Sequence, residues 1–401
     1  MTKPKVSIEE IRTYEPEAVL AALRQSMERI GGMAAFVQPG QKVLLKPNML
    51  GAFSPDEAVT THPSVVRAAT ILVQEVGGIV SIGDSPGTGE LDAALRRTGI
   101  GAVATELGAS VADFAASAEL EREENAVGRR LALAQAVTDA DVVITLPKLK
   151  THAQMGFTCA MKNQFGLIVG TEKALWHYRL QDRDWLAALM IDINQLAKPS
   201  LAIVDAIVGM EGAGPSGGEP REIGALVAGG DLAAVDAVCC DMVGIDPGSL
   251  PLMRAARRAG YGTVDLADIE LCGSPLESVR VADFRPPPRS HSVLDILPLP
   301  TFMIAGVRRA LTARPEIDPK LCIACNRCKD GCPVVPSAID PARGQGGVDT
   351  KTCIRCYCCH EFCPVKAIHL RRSWVDRVFR LNALAEWLAR TGERWRARHH
   401  P

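Results

Sequence analysis

Between residues 322 and 364 the chain writes one cysteine pattern twice, and no other feature restricts its fold so tightly. The first copy is Cys322-Ile-Ala-Cys325-Asn-Arg-Cys328-Lys-Asp-Gly-Cys332-Pro333. The second is Cys353-Ile-Arg-Cys356-Tyr-Cys-Cys359-His-Glu-Phe-Cys363-Pro364, offset by 31 residues, with Asp318 answered by Asp349. Each reads C-x2-C-x2-C-x3-C-P. Thiolates three residues apart on a tight loop reach three irons of one cubane, and a fourth follows after a longer step. A zinc ribbon would use two C-x-x-C pairs, not two quartets each closed by Pro. A disulfide framework suits a small secreted chain, and no export signal is read at the start of this one.

Residues 316–370 resemble the bacterial-type two-cluster ferredoxins. That resemblance implies a small ferredoxin-like α+β electron-transfer domain with two [4Fe–4S] clusters, in which the fourth cysteine of each copy serves the other cluster. On this pattern Cys322, Cys325, Cys328 and Cys363 hold one centre. Cys353, Cys356, Cys359 and Cys332 hold the other. Cys358 lies off the spacing and is a spare, while Cys239, Cys240 and Cys272 read as core residues.

A chain of 401 residues has room for two domains or more. Its net charge of −1 conceals an asymmetry: residues 301–401 hold 18 Lys+Arg against 9 Asp+Glu, and the first 300 hold 27 against 37. A basic tail on an acidic body suits an acidic redox partner protein, a membrane surface or the body itself. Nothing calls for a nucleic-acid partner. The N-terminus lacks an apolar h-region, and no uninterrupted apolar run reaches the ~18–20 residues of a transmembrane segment. Val293 to Val307 is broken by Asp295, Pro298 and Pro300. Unpaired cysteines fit a reducing cytoplasm.

The body alternates short apolar strands with helical patterns. Residues 16–37 are helical; Gln41–Lys46, Gly78–Gly83, Asp141–Leu146, Leu201–Val208 and Ala225–Ala228 are strands. His62-Pro63-Ser64 opens a helix, Trp185–Leu196 is another, and Asp231 caps the helix holding Asp236. This alternation predicts an α/β fold, a mostly parallel sheet covered by helices, whose ligands bind beyond the carboxyl ends of the strands. The expected division is a body at 1–284, a linker at 285–315, the cysteine module at 316–370, and a basic amphipathic helix at 371–401 with possible peripheral membrane contact.

Five stretches in order resemble the family catalogued as domain of unknown function 362: Leu45-Lys-Pro-Asn48, Thr61-His-Pro63, Gly83-Asp-Ser-Pro-Gly87, Pro147-Lys-Leu-Lys-Thr-His152, and Lys162-Asn163 with Gly166. The resemblance covers roughly 40–245 and implies an α/β domain joined to iron–sulfur centres, with no settled reaction. The loops after the strands bring forward a set of candidates for one small anionic molecule. Lys46, Lys148, Lys150 and Lys162 would supply positive charge, and Asn48 and Asn163 orientation. His62, Asp84 and Ser85 are further binding candidates. His152, in a loop with Lys148 and Lys150, is the expected proton carrier of an iron–sulfur oxidoreductase. A non-catalytic electron-carrier subunit, or a ligase- or transferase-like body with structural clusters, are the other classes. The glycine-rich turn at 83–89 is not a P-loop, and Gly209-Met-Glu-Gly-Ala-Gly214 is not a dinucleotide fingerprint.

Overall fold

The structure, a computed structural model, describes residues 2–87, 90–122, 126–170, 172–287, 312–343 and 345–371. The apolar-then-basic stretch from 293 to 311 and the amphipathic helix beyond 371 lie outside the described residues. The chain forms two compact units, Met1–Pro287 and Pro288–Pro401.

The first unit is built on strands β1 (Lys5–Glu10), β2 (Lys42–Pro47), β3 (Ile79–Ile82), β4 (Ser110–Val111), β5 (Ser117–Glu121), β6 (Arg130–Ala134), β7 (Val142–Leu146), β8 (Lys148–His152), β9 (Gly156–Thr158), β10 (Leu201–Glu211), β11 (Glu219–Gly229) and β12 (Glu270–Gly273). Ten of them make one mixed sheet in the order β12-β1-β11-β10-β7-β2-β3-β4, with β8 on β10 and β9 on β8. Strands β10, β7, β2, β3 and β4 run parallel, while β11 is antiparallel to both β10 and β1. The predicted α/β class therefore holds.

Alternation along the strands divides the core into two layers. Leu44, Val143, Val204 and Val227 face one side, packed with residues of helices Arg183–Ala197, Leu232–Met242 and Pro251–Ala259. Val43, Leu45, Ile144, Ile203 and Leu226 face the other, with helices Pro16–Arg29 and Pro63–Glu75. A sheet covered on both faces has continuous apolar strands, as observed.

Two expectations need correction. The stretch Pro147–His152, read as a loop, is strand β8. Pro147 has no N–H to continue the ladder, but its carbonyl accepts from Asp205 N, and β8 resumes on the same partner with Lys148 opposite Asp205. Strands β10 and β11 are also longer than expected, 11 residues each, because they form one antiparallel pair with an irregularity between Ala206 and Val208. Gly209 permits this: a Cβ there would lie 2.9 Å from the Leu149 carbonyl.

The second unit contains the antiparallel pair β13 (Arg314–Ile317) and β14 (Ile368–Arg371) and the short helices Arg327–Asp330 and Cys358–Glu361. Among the described residues no helix is long and apolar enough to cross a membrane.

Candidate functional site

The carboxyl ends of β2 and β3 place two opposite charges in contact. Lys46 Nζ lies 2.8 Å from Asp84 Oδ1, both side chains sealed from solvent. Backbone amides of Met49 and Ser85 donate to the same carboxylate at 2.8 and 2.9 Å. Gly166 packs on this pair so closely that a Cβ would fall 2.4 Å from Asp84 Oδ1 and 2.7 Å from Lys46 Nζ. Two further lysines act electrostatically here. Lys173, on the helix Glu172–Arg179, donates to the carbonyls of Ser85 and Pro86. Burial pulls Lys173 down to about 7, with Lys46 and Lys162 lowering it further and Asp84 opposing them. Ser85 Oγ accepts from Gly170 N at 3.2 Å.

Beside this pair Asn48 Nδ2 donates to Asn163 Oδ1 at 3.0 Å, and Asn163 Nδ2 donates to the Lys46 carbonyl and to Thr145 Oγ1. Asn48 Oδ1 is buried with no hydrogen-bond partner among the described residues. Asn48 and Thr61 are doubly tied, Asn48 N to Thr61 Oγ1 and Thr61 N to the Asn48 carbonyl. Thr61 leads directly to His62 and to a second buried constellation.

There Asp205 accepts from Tyr14 Oη at 2.7 Å, Lys148 Nζ at 2.8 Å and His62 N at 2.8 Å. Lys148 also donates to Tyr14 Oη at 2.9 Å, and the Tyr14 and His62 rings stack with centroids 3.7 Å apart. Burial lowers His62 to about 4, with Lys148 adding to the shift and Asp205 opposing it, so its ring is neutral at pH 7. His62 Nδ1 accepts from Ser64 N as a helix cap.

The four lysines thus occupy different settings. Lys46 and Lys148 are buried and ion-paired, and burial lowers both from the ordinary lysine value while the partner carboxylates resist. Lys150 is buried and donates to the Val59 carbonyl at 2.7 Å. Lys162 is half-buried on the short helix Ala160–Asn163. His152 is buried, and its Nδ1 accepts from Gln154 N and Met155 N, holding the turn after β8. The structure gathers Lys46, Asp84, Ser85, Lys162, Asn48 and Asn163 at one locus and Lys148 with His62 at the next. Tyr14 and Lys173 were not anticipated. Neither sits in a recognisable motif, and each reaches its place only through residues distant in sequence.

In the second unit two cavities stand among the cysteines. One is lined by Cys322, Cys325, Cys328 and Cys363, with Ile317, Ile323 and Val365 among its apolar walls. The other is lined by Cys332, Cys353, Cys356 and Cys359, with Val334, Val348 and Ile354 among its walls. No three His, Cys, Asp or Glu side chains among the described residues close around a point fit for a single ion. Backbone geometry repeats at the 31-residue offset: Ala324 and Asn326 in the first loop, Arg355 and Tyr357 in the second, all have φ between 54° and 63°. Non-glycine residues held left-handed cost about 1–3 kcal/mol each and mark sites where the surroundings enforce them. The turns aim amides inward as in iron–sulfur nests; Ala324 N donates to Cys322 Sγ at 3.4 Å and Ala367 N to Cys363 Sγ at 3.1 Å. Burial and then the neighbouring Cys363 push the Cys328 thiol up to about 11, and burial raises Cys359 well above its ordinary value. Such thiols ionise only against a strongly cationic group. The residues present fit iron–sulfur clusters.

Comparison with known proteins agrees. Residues 43–241 match a family described as domain of unknown function (DUF362), and residues 314–364 match the 4Fe-4S dicluster domain. The chain is 38% identical over 256 residues to "Thylakoid-associated protein sll1697" of Synechocystis sp., covering 64% of this chain and 79% of that protein. Among solved structures it is similar to the lactate racemase apoprotein from Thermoanaerobacterium thermosaccharolyticum, with TM-score 0.40 and 13% identity over 61% of this chain and 58% of that one. A crystal structure of a protein from Thermotoga maritima gives TM-score 0.35 and 15% identity over 58% and 59% of the two chains. The dicluster domain is an electron-transfer module and carries two [4Fe–4S] clusters.

Proposed function

Because this chain belongs to the family described as domain of unknown function 362 and also carries a dicluster domain, we propose that it is an iron–sulfur oxidoreductase acting on a small anion. The observation that carries this reading is the crowding of positive charge at the strand ends: Lys46 pairs with Asp84, and Lys46 and Lys162 both act against the charge of Lys173, which sits on the Ser85 and Pro86 carbonyls. A bound carboxylate or phosphate would balance it. Lys162 and Lys173 hold the anion. Asn163 fixes Asn48, whose unpartnered Oδ1 accepts from a hydroxyl or amide of the ligand. Lys173, at about 7, holds or releases a proton at Nζ near neutral pH.

When bound, the clusters supply single electrons. Cys322, Cys325, Cys328 and Cys363 surround one, and Cys353, Cys356, Cys359 and Cys332 the other, in agreement with the composition of the two cavities. A cytoplasmic setting belongs to the same proposal.

The test uses full-length protein purified anaerobically and loaded with about eight irons per chain. Calorimetric titration with orthophosphate and with oxalate at pH 6.5 should show binding of one of them. Lys173→Met should weaken it about tenfold, the loss of one charged contact. Absence of binding by either anion, with no small molecule retained in native mass spectrometry, would leave an electron carrier without a substrate.

A further inference from the structure

The two cysteine loops match each other in sequence but not in exposure. In the first, Leu321 is 47% and Ile323 62% exposed, and Cys325, Asn326, Arg327, Lys329 and Asp330 also face solvent. In the second, Thr352 is exposed and Ile354 half-buried, but the counterparts of the other five are withdrawn: Cys356 is 8% and Tyr357 2% exposed, and Cys358, His360 and Glu361 are buried. Contacts inside the module hold them there. Tyr357 Oη donates to the Ala313 carbonyl at 2.8 Å, and His360 Nδ1 meets the Ile368 carbonyl at 2.6 Å.

Electron transfer between proteins needs a short path from the cluster to the surface. We infer that electrons enter and leave through the cluster cavity lined by Cys322, Cys325, Cys328 and Cys363, at a docking face made by Leu321, Ile323, Cys325 and Arg327. The occupant is an acidic one-electron carrier protein. Leu321 and Ile323 provide the apolar centre, and Lys320 and Arg327 provide the basic rim that attracts it. In the exchange one electron leaves the carrier and one oxidised cluster becomes reduced; no bond forms or breaks and no proton moves. The inference rests on the electron-transfer reading but needs no substrate, so its outcome is read separately from that of anion binding.

The test uses the full chain, anaerobic, with reduced flavodoxin hydroquinone as the acidic carrier, which becomes its semiquinone. Spin counting by EPR confirms that each variant holds both clusters. In stopped flow Ile323→Glu should lower the second-order rate about tenfold or more. Leu321→Glu, which leaves the cavity wall untouched, should act in the same direction. Val335→Glu, at a 91% exposed residue next to the second cavity's Val334, should stay within about twofold of the parent. Slower exchange in Val335→Glu than in the other two, or parent-like exchange in all three, would overturn the assignment.

Discussion

Lys46 Nζ and Asp84 Oδ1 meet at 2.8 Å with side chains 0% and 4% exposed, joining the ends of two parallel strands by a fully desolvated ion pair. Removing one partner of such a pair strands the other charge, at a cost of about 3–5 kcal/mol. Lys46→Met should lower unfolding free energy by that amount in urea titration. The double variant with Asp84→Leu should recover a substantial part, because no buried charge remains. Equal stability of the two variants would contradict the pairing.

Gly166 fits against the same pair. A methyl group there overlaps Asp84 Oδ1 at 2.4 Å, and that oxygen is fixed by Lys46 and the Ser85 amide. Gly166→Ala should destabilise the fold by roughly 1–3 kcal/mol, the usual cost of overpacking. It should also weaken anion binding. Denaturant midpoints and calorimetry measure the two effects independently.

Asp236 sets a pH dependence. Burial raises it from 3.8 to about 7, against the pull of the Ala160 and Met161 amides that donate to it. In the unfolded chain it ionises near 4, so between about pH 4 and 7 the native state binds more protons. Its contribution to stability is full below pH 4 and falls as pH rises to about 7, by at most ~4 kcal/mol. Asp236→Asn should flatten that slope in denaturation curves taken across this window.

His62 acts with the opposite sign. Burial lowers it from 6.5 to about 4, so the unfolded chain binds the extra proton between those values. Stability should therefore rise with pH across about 4 to 6.5, and His62→Phe, which retains an aromatic ring against Tyr14, should remove this component. NMR titration of the His62 ring in the folded protein should find its midpoint near 4, well below that of an exposed histidine.

Cys358 is more than a spare thiol. It is buried beside Cys356, and its hydrogen bond lowers the Cys356 pKa by favouring the charged sulfur. The same donor should favour the reduced, more negative state of the cluster in that cavity. Cys358→Ala should lower that cluster's potential by roughly 40 mV, the one-electron equivalent of about 1 kcal/mol. EPR-monitored redox titration would show one of two potentials moving while the other stays.

How much of this was legible beforehand depends on the distance over which each property is decided. Three cysteines of each centre could be read directly because their chemistry is local, spacing along a tight loop setting which sulfurs meet; the fourth, from the other copy, was what the resemblance to two-cluster ferredoxins implied. The sheet was nearly as legible, since strands buried on both faces are apolar throughout, although β1 escaped notice and β8 was hidden behind Pro147. The lysines were not legible in the same way. A lysine's charge state and role depend on burial and on partners elsewhere in the chain, as in the Tyr14–Asp205 hydrogen bond across 191 residues that completes the Lys148 site. The sequence by itself determined two iron–sulfur centres and an α/β body. Only the tertiary structure decided that three of the candidate lysines are sealed inside, that Lys173 joins the site, and that one of two matching cysteine loops faces solvent, because desolvation and long-range contact are properties of the packed chain and not of any segment within it.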